Sequence, residues 1–224
     1  MRPRRSTVIA ALATLFAVPA LNGCSNSAQS NGTIAGAATG GPSASASIQA
    51  QTPAATLAPI AGLNPSFRIP ADLTLEFQTT PQSSTTASQI ETILVDQYEA
   101  YIEALSSSGH TESNYLLLTV SSALGTENAE LSWWQQHDER LTGTDRLYDF
   151  TVGAVSGHLV SFSYCEDSTG LNYKNLSTGQ TVTNTSSAAA NHTLREGQLS
   201  KGKGELWAVS TLITQNGAQQ CMQG

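Results

Sequence analysis

Basic residues are scarce in this chain of 224 residues, which sets ten lysines and arginines against seventeen aspartates and glutamates. Residues 69–139 contain none at all. A surface so short of positive charge repels phosphate backbones, which argues against nucleic acid as a partner. Charge of either sign is missing from residues 25–63, a run of Ser, Ala, Gly, Thr, Asn, Gln and Pro broken by few large apolar side chains. Such a run buries too little apolar surface to offset the entropy of ordering, and it reads as a flexible tether. Its roughly forty residues would give a mean reach on the order of 35 Å. No apolar run approaches the about 20 residues that a membrane-spanning helix needs. Cysteine occurs only at Cys24, Cys165 and Cys221, with no Cys-x-x-Cys pair. The four histidines, His110, His137, His158 and His192, lie far apart without His-x-x-x-His spacing. No metal site and no cofactor is implied.

What the chain does have begins with its leader. Arg2, Arg4 and Arg5 precede an uncharged apolar stretch over residues 8–20, and Leu21-Asn22-Gly23-Cys24 follows. A basic start, a short apolar run and small residues before a cut are the parts of an export signal. A cysteine behind Leu-x-Gly at that place resembles the lipobox of bacterial lipoproteins. The resemblance implies a signal peptide over residues 1–23, lipidation of the Cys24 thiol, and a tether over residues 24–65. Two or three acyl chains, each methylene contributing about 0.8 kcal/mol, hold a protein stably where one does not. The expected location is the extracytoplasmic face of the cell membrane, with the lipid anchor at Cys24 as the membrane contact. Asn22 departs from the usual small or β-branched residue, so the alternative is an ordinary cut after Ala20 and a soluble secreted protein. The Arg4-Arg5 pair lacks the downstream pattern of twin-arginine export.

Loss of the leader removes three basic residues and no acidic one, leaving seven against seventeen and a net charge of −10. With Cys24 acylated, Cys165 and Cys221 remain as an even pair in an oxidising compartment, where a disulfide is expected.

Residues 66–224 read as one α+β domain. Leu73, Leu75 and Phe77 alternate with polar residues over residues 67–78, a half-buried strand behind Pro70. Thr86 and Gln89 have capping-box spacing. Behind them Ile90, Ile93, Leu94, Tyr98, Tyr101, Ile102 and Leu105 form one helical stripe, with Glu91, Glu99 and Glu103 facing away. Shorter helices are expected over residues 112–123 and 127–141, separated at Gly125. Strands follow: Tyr148, Phe150 and Val152; Val160, Phe162 and Tyr164; Trp207, Val209, Thr211 and Ile213. Ser156-Gly157, Ser177-Thr178-Gly179 and residues 201–204 supply turns. Helices first and antiparallel strands after predicts a sheet whose apolar face closes over the helices.

This order of elements resembles the cone-shaped, cystatin-like fold of nuclear-transport-factor-2-like and ketosteroid-isomerase-like domains. The run Gly143-Thr144-Asp145-Arg146-Leu147-Tyr148, the strand end Tyr164-Cys165-Glu166-Asp167, Thr178-Gly179, and Gly204-Glu205-Leu206-Trp207 with the final Cys221 are similar to a family of Gram-positive secreted lipoproteins. The resemblance covers residues 67–224 and implies the same fold and a Cys165–Cys221 disulfide, but no activity. Enzymes of the cone fold set a carboxylate base and an acid such as Tyr or Asp in an apolar pocket. Tyr98, Tyr101, Asp149 and Tyr164 are the residues placed to point inward, while Glu166 and Asp167 read as surface carboxylates beside the bridge. No pair has diagnostic spacing, so no catalytic residue is assigned. The adjacent Trp133 and Trp134 diverge by about 100° on a helix, so one enters the core and the other faces out; Trp207 reads as core. Asn31, Asn175, Asn184 and Asn191 head N-x-Ser/Thr sequons that a bacterial chain has no use for. The expected function is a non-catalytic binding or accessory module of the envelope, engaging another envelope protein. The alternative is an isomerase-like enzyme or a carrier of a small apolar molecule.

Overall fold

A computed structural model describes residues 63–64, 66–107, 112–202 and 205–223. Cys24, Asn31, His110, the leader and nearly all of the expected tether lie outside the described residues. Among the described residues no helix is long and apolar enough to cross a membrane.

The elements run β1 (Leu73–Phe77), α1 (Thr85–Ser106), α2 (Ser113–Leu118), α3 (Ser121–His137), β2 (Glu139–Val152), β3 (Leu159–Asp167), β4 (Leu171–Asn175), β5 (Thr181–Thr183), β6 (His192–Lys201) and β7 (Trp207–Asn216). Three helices and a seven-stranded sheet make the class α+β. The sheet is antiparallel except for β1, which runs parallel to β2. The long β2 is its spine. Gly143 pairs with Leu73 on one side and Leu171 on the other, and Leu147 with Phe77 and Glu166. So β1 lies along one side of β2 while β4 and β3 share the other in succession. Gly143 sits where they change over, at φ 102, and a Cβ there would overlap the Gly170 carbonyl oxygen. Only glycine meets both conditions.

The α1 stripe is buried as its periodicity predicts, but the helix is capped two residues earlier than the Thr86–Gln89 spacing suggests. Ser84 is the N-cap, its hydroxyl accepting from the Ala87 amide at 3.1 Å. Glu91 and Glu103 do not face water. Each is 5% exposed, Glu91 accepting from the Thr80 amide at 3.0 Å and Glu103 from the Arg68 amide and side chain. Their charges are placed to satisfy backbone donors of the incoming chain, a need that helical periodicity does not register. Gly125 lies inside α3 rather than between helices. The break is at Thr119-Val120 instead, where the chain pairs with β7 through the Val120 amide and the Val209 carbonyl at 2.8 Å.

Tyr148 and Phe150 do not share a face. A β-bulge between Tyr148 and Thr151 puts Asp149 at φ 54 and shifts the alternation by one residue. Phe150 joins Leu147, Val160, Phe162, Leu199, Val209 and the helices in the main core. Tyr148 drops to the other face, into a small cluster with Cys165, Leu194, Ala218 and Cys221. There the chain's last turn, Gln219–Met222, lies against the sheet, and the Tyr148 hydroxyl donates to the Cys221 carbonyl. Cys165 and Cys221 are disulfide-bonded, with Cα atoms 5.4 Å apart across 56 residues of sequence.

Closing a loop of that length stabilises the chain by about 4 kcal/mol in the chain-entropy account. Replacing both cysteines by serine should lower unfolding stability in urea by about that amount. A loss under about 1 kcal/mol would show that the C-terminal turn holds without the bond.

Candidate functional site

Between the helices and the inner face of the sheet lies a cavity of about 500 Å³. Its floor comes from Tyr98 and Tyr101 on α1, Glu166 on β3 and Arg195 on β6. Trp134 on α3 and Tyr173 on β4 form one wall, their rings 5.5 Å apart. Glu130 of α3 stands at the mouth, and the connection from β5 to β6 closes the far side with Asn184 and Asn191.

The floor is a buried polar network. Arg195 is 6% exposed and Glu166 is 7% exposed, and the arginine Nε donates to Glu166 Oε2 at 2.5 Å. The guanidinium also lies 5.5 Å from the centre of the Tyr98 ring. Tyr98 bridges two carboxyl groups: its hydroxyl bonds Asp145 and lies 3.3 Å from Glu166 Oε1. Asp145 is completely buried on β2, and among the described residues its Oδ1 has no partner. Burial, and then the Glu166 charge, push its pKa well above the usual carboxylate range. A neutral acid is what such a site tolerates, since a buried carboxylate with an orphan oxygen costs far more. Once protonated, Asp145 can donate back to Tyr98 and free the phenol proton for Glu166. Burial pulls the Arg195 pKa down, but Glu166, Tyr164, Tyr98 and Glu130 together outweigh it and the guanidinium stays charged. Arg195 and Glu166 thus form a matched pair, one cation to one anion.

A second buried acid lies behind it. Glu127 on α3 is 2% exposed, and the Gln97 side-chain amide donates to it at 2.9 Å and to Thr119 Oγ1 at 3.1 Å. Desolvation raises its pKa to about 7, against the lowering effect of Gln97.

Of the residues expected to point inward, Tyr98, Tyr101 and Tyr164 do, and all three are 2% exposed. Asp149 does not: the bulge turns it to solvent. Glu166 is not the surface carboxylate expected but the anion of the floor. Asp167, the next residue, is half-buried between Arg146 and His192 at 3.6 and 3.8 Å. Trp134 is 8% exposed and Trp133 48%, dividing core from surface as their offset requires, with Trp133 stacked on His137. Trp207 is core. His137 and His192 each bond a backbone carbonyl four residues back. Among the described residues no three His, Cys, Asp or Glu side chains group to hold a metal. The sequon residues Asn184 and Asn191 bond each other at 3.1 Å in the cavity wall. Missed altogether were Asp145, Arg195, Glu130 and Glu127. Asp145 alone carried a signal, an acid on the inward phase set by Leu141 and Leu147.

No family model and no curated protein sequence matches the chain. Among solved structures, it is similar to the intermembrane space region of the chloroplast protein ARC6, at 12% identity and a TM-score of 0.40. That likeness covers 61% of this chain and 99% of the other. At such a score it carries no argument.

Glu127 links stability to pH with a definite sign. Its pKa rises from 4.5 unfolded to about 7 folded, so the folded chain binds this proton more tightly. The stabilisation is complete below pH 4.5 and is lost as pH rises toward 7. One such group changes stability by at most about 1.4 kcal/mol per pH unit. Glu127→Gln, which keeps an acceptor for Gln97, should flatten the melting temperature between about pH 5 and pH 7 and exceed the wild type at about pH 8. An unchanged slope would mean that Glu127 is ionised throughout.

Proposed function

We propose that this chain is an exported lipoprotein, cut before Cys24 and acylated there, whose domain binds a small ligand outside the cell membrane without transforming it. The observation that carries the binding reading is the cavity of about 500 Å³ over a buried, charge-balanced polar floor. Small-molecule sites are clefts of roughly 300–1,000 Å³ with few, well-placed polar groups. Support for export comes from the leader's composition and from the Cys165–Cys221 disulfide, a bond at home in oxidising compartments. Helices packed on one face of a bulged, mostly antiparallel sheet also support the cone-shaped fold class.

One observation favours a second reading, an isomerase-like enzyme: burial favours the protonated form of Asp145 beside Tyr98, an acid pair that could polarise a carbonyl. Asp145 is fully buried, however, and the Tyr98 hydroxyl is committed to two carboxyl groups. Neither is free to meet a reacting atom, so binding without chemistry is the better supported function.

Cells fed an alkyne fatty acid should label the wild type and not Cys24→Ala; equal labelling of both would exclude acylation at that thiol. Ala190 lies exposed on the cavity lining beside Asn191, so Ala190→Trp should fill part of the cavity and leave the fold intact. Ligand-detected NMR against a mixture of small metabolites should find a compound bound by the wild type and released by Ala190→Trp. A mixture that never distinguishes the two proteins would overturn the cavity as a binding site.

A further inference from the structure

The ligand class follows from what the cavity offers and what it has already neutralised. Arg195 uses only its Nε on Glu166. Among the described residues neither terminal guanidinium nitrogen has a protein partner, yet neither is sealed from solvent, and the residue lines the cavity. Those nitrogens therefore open onto it as free donors. Asn191 is 8% exposed and its Oδ1 accepts from the Asn184 side-chain amide, which leaves its own amide hydrogens for the same space. Donors thus come from buried, rigidly held side chains. At the mouth Glu130 supplies an exposed acceptor. The wall beside it is aromatic: Trp134, one turn further along α3, and Tyr173 lie 5.5 Å apart with planes tilted by 38°.

Charge removes two ligand classes. An anion would find Arg195 already paired with Glu166 and would meet Glu130 on entry. A cation would have to approach the buried guanidinium. An apolar molecule would strand the free donors of Arg195 and Asn191, and leaving a buried donor unpaired costs more than the contact returns. Neutral oxygen-rich molecules face none of these penalties. Their hydroxyl and ring oxygens accept from Arg195 and Asn191, their hydroxyl hydrogens donate to Glu130, and a face of C–H groups packs on an aromatic ring.

Granting that the cavity is a ligand site, as proposed above, we infer that it takes a neutral polyhydroxylated ligand, a saccharide or a related cyclic polyol. The ring stacks on the Trp134–Tyr173 wall and the hydroxyls bridge Arg195 to Glu130. Because the donors are fixed in the floor, the site reads hydroxyl positions: a sugar lacking the hydroxyl that meets Arg195 leaves that group unpaired and is rejected.

The test is saturation-transfer NMR and calorimetry on the domain within the full exported chain. The probes are glucose, galactose, N-acetylglucosamine, maltose and trehalose, against benzoate, tetramethylammonium and naphthalene. At least one sugar should bind, with transfer strongest to the C–H groups of one ring face. Glu130→Gln and Tyr173→Leu change exposed and half-buried side chains and should keep the fold. Each should weaken that sugar by about tenfold, the loss of one good polar or stacking contact. Binding of benzoate, tetramethylammonium or naphthalene alone, abolished by Ala190→Trp, would overturn the saccharide assignment and keep the cavity as a site. Sugar binding indifferent to Glu130→Gln, Tyr173→Leu and Ala190→Trp would place it elsewhere and overturn the assignment too. No binding of any probe would overturn both.

Discussion

Four elements meet at one buried ion pair. Arg195 from β6 and Glu166 from β3 neutralise each other, and Tyr98 from α1 ties the pair to Asp145 on β2. A desolvated guanidinium without a partner costs several kcal/mol, so the position of Glu166 is fixed by Arg195 and that of Tyr98 by both carboxyl groups. The helical layer is thereby registered on the sheet at one point, while apolar packing around it supplies area without direction. Burial and the Glu166 charge favour a proton, rather than a second cation, at Asp145. That solution needs no further basic side chain, in a chain that has none between Arg68 and Arg140.

The two faces of the sheet are built for different tasks. The inner face carries the main core and the polar floor, while the outer face has a small cluster sealed by the disulfide and the final turn. The bulge at Asp149 joins them. By delaying the alternation it sends Tyr148 outward to Cys221 and Phe150 inward, where it stacks on Tyr164 at 5.1 Å. The outer cluster holds β3 and the chain end together, and β3 carries Glu166 on its inner side. A contact made on the far side of the sheet thus steadies a residue of the cavity floor.

Much of this was legible in the sequence wherever burial is apolar and periodic. The α1 stripe, the division between Trp133 and Trp134 and the cysteine pairing all follow from spacing and composition. What periodicity hides is a polar residue used as core. Glu91 and Glu103 read as a solvated helix face because their partners, backbone amides, come from elsewhere in the chain, and nothing near Glu127 announces Gln97. Strand β6 was invisible for the same reason. His192–Lys201 has only Leu194 and Leu199 as large apolar residues, on opposite faces, and its inward position is filled by an arginine. The pair Arg195–Glu166 spans 29 residues, and nothing local to either announces it.

A floor of this kind also explains why a cavity survives there. Apolar side chains grown into the space would cover Arg195 and Asn191 donors without satisfying them, which penalises any sequence that fills the void. Water can occupy it at little cost, since a polar cavity offers the several partners a water needs. A ligand then gains by returning that water to bulk while matching its hydrogen bonds. The donors are already immobilised by Glu166, Tyr98 and Asn184, so little side-chain entropy remains to be lost on binding. The same pairing that registers the fold therefore preorganises the site, and rigidity and recognition come from one set of side chains.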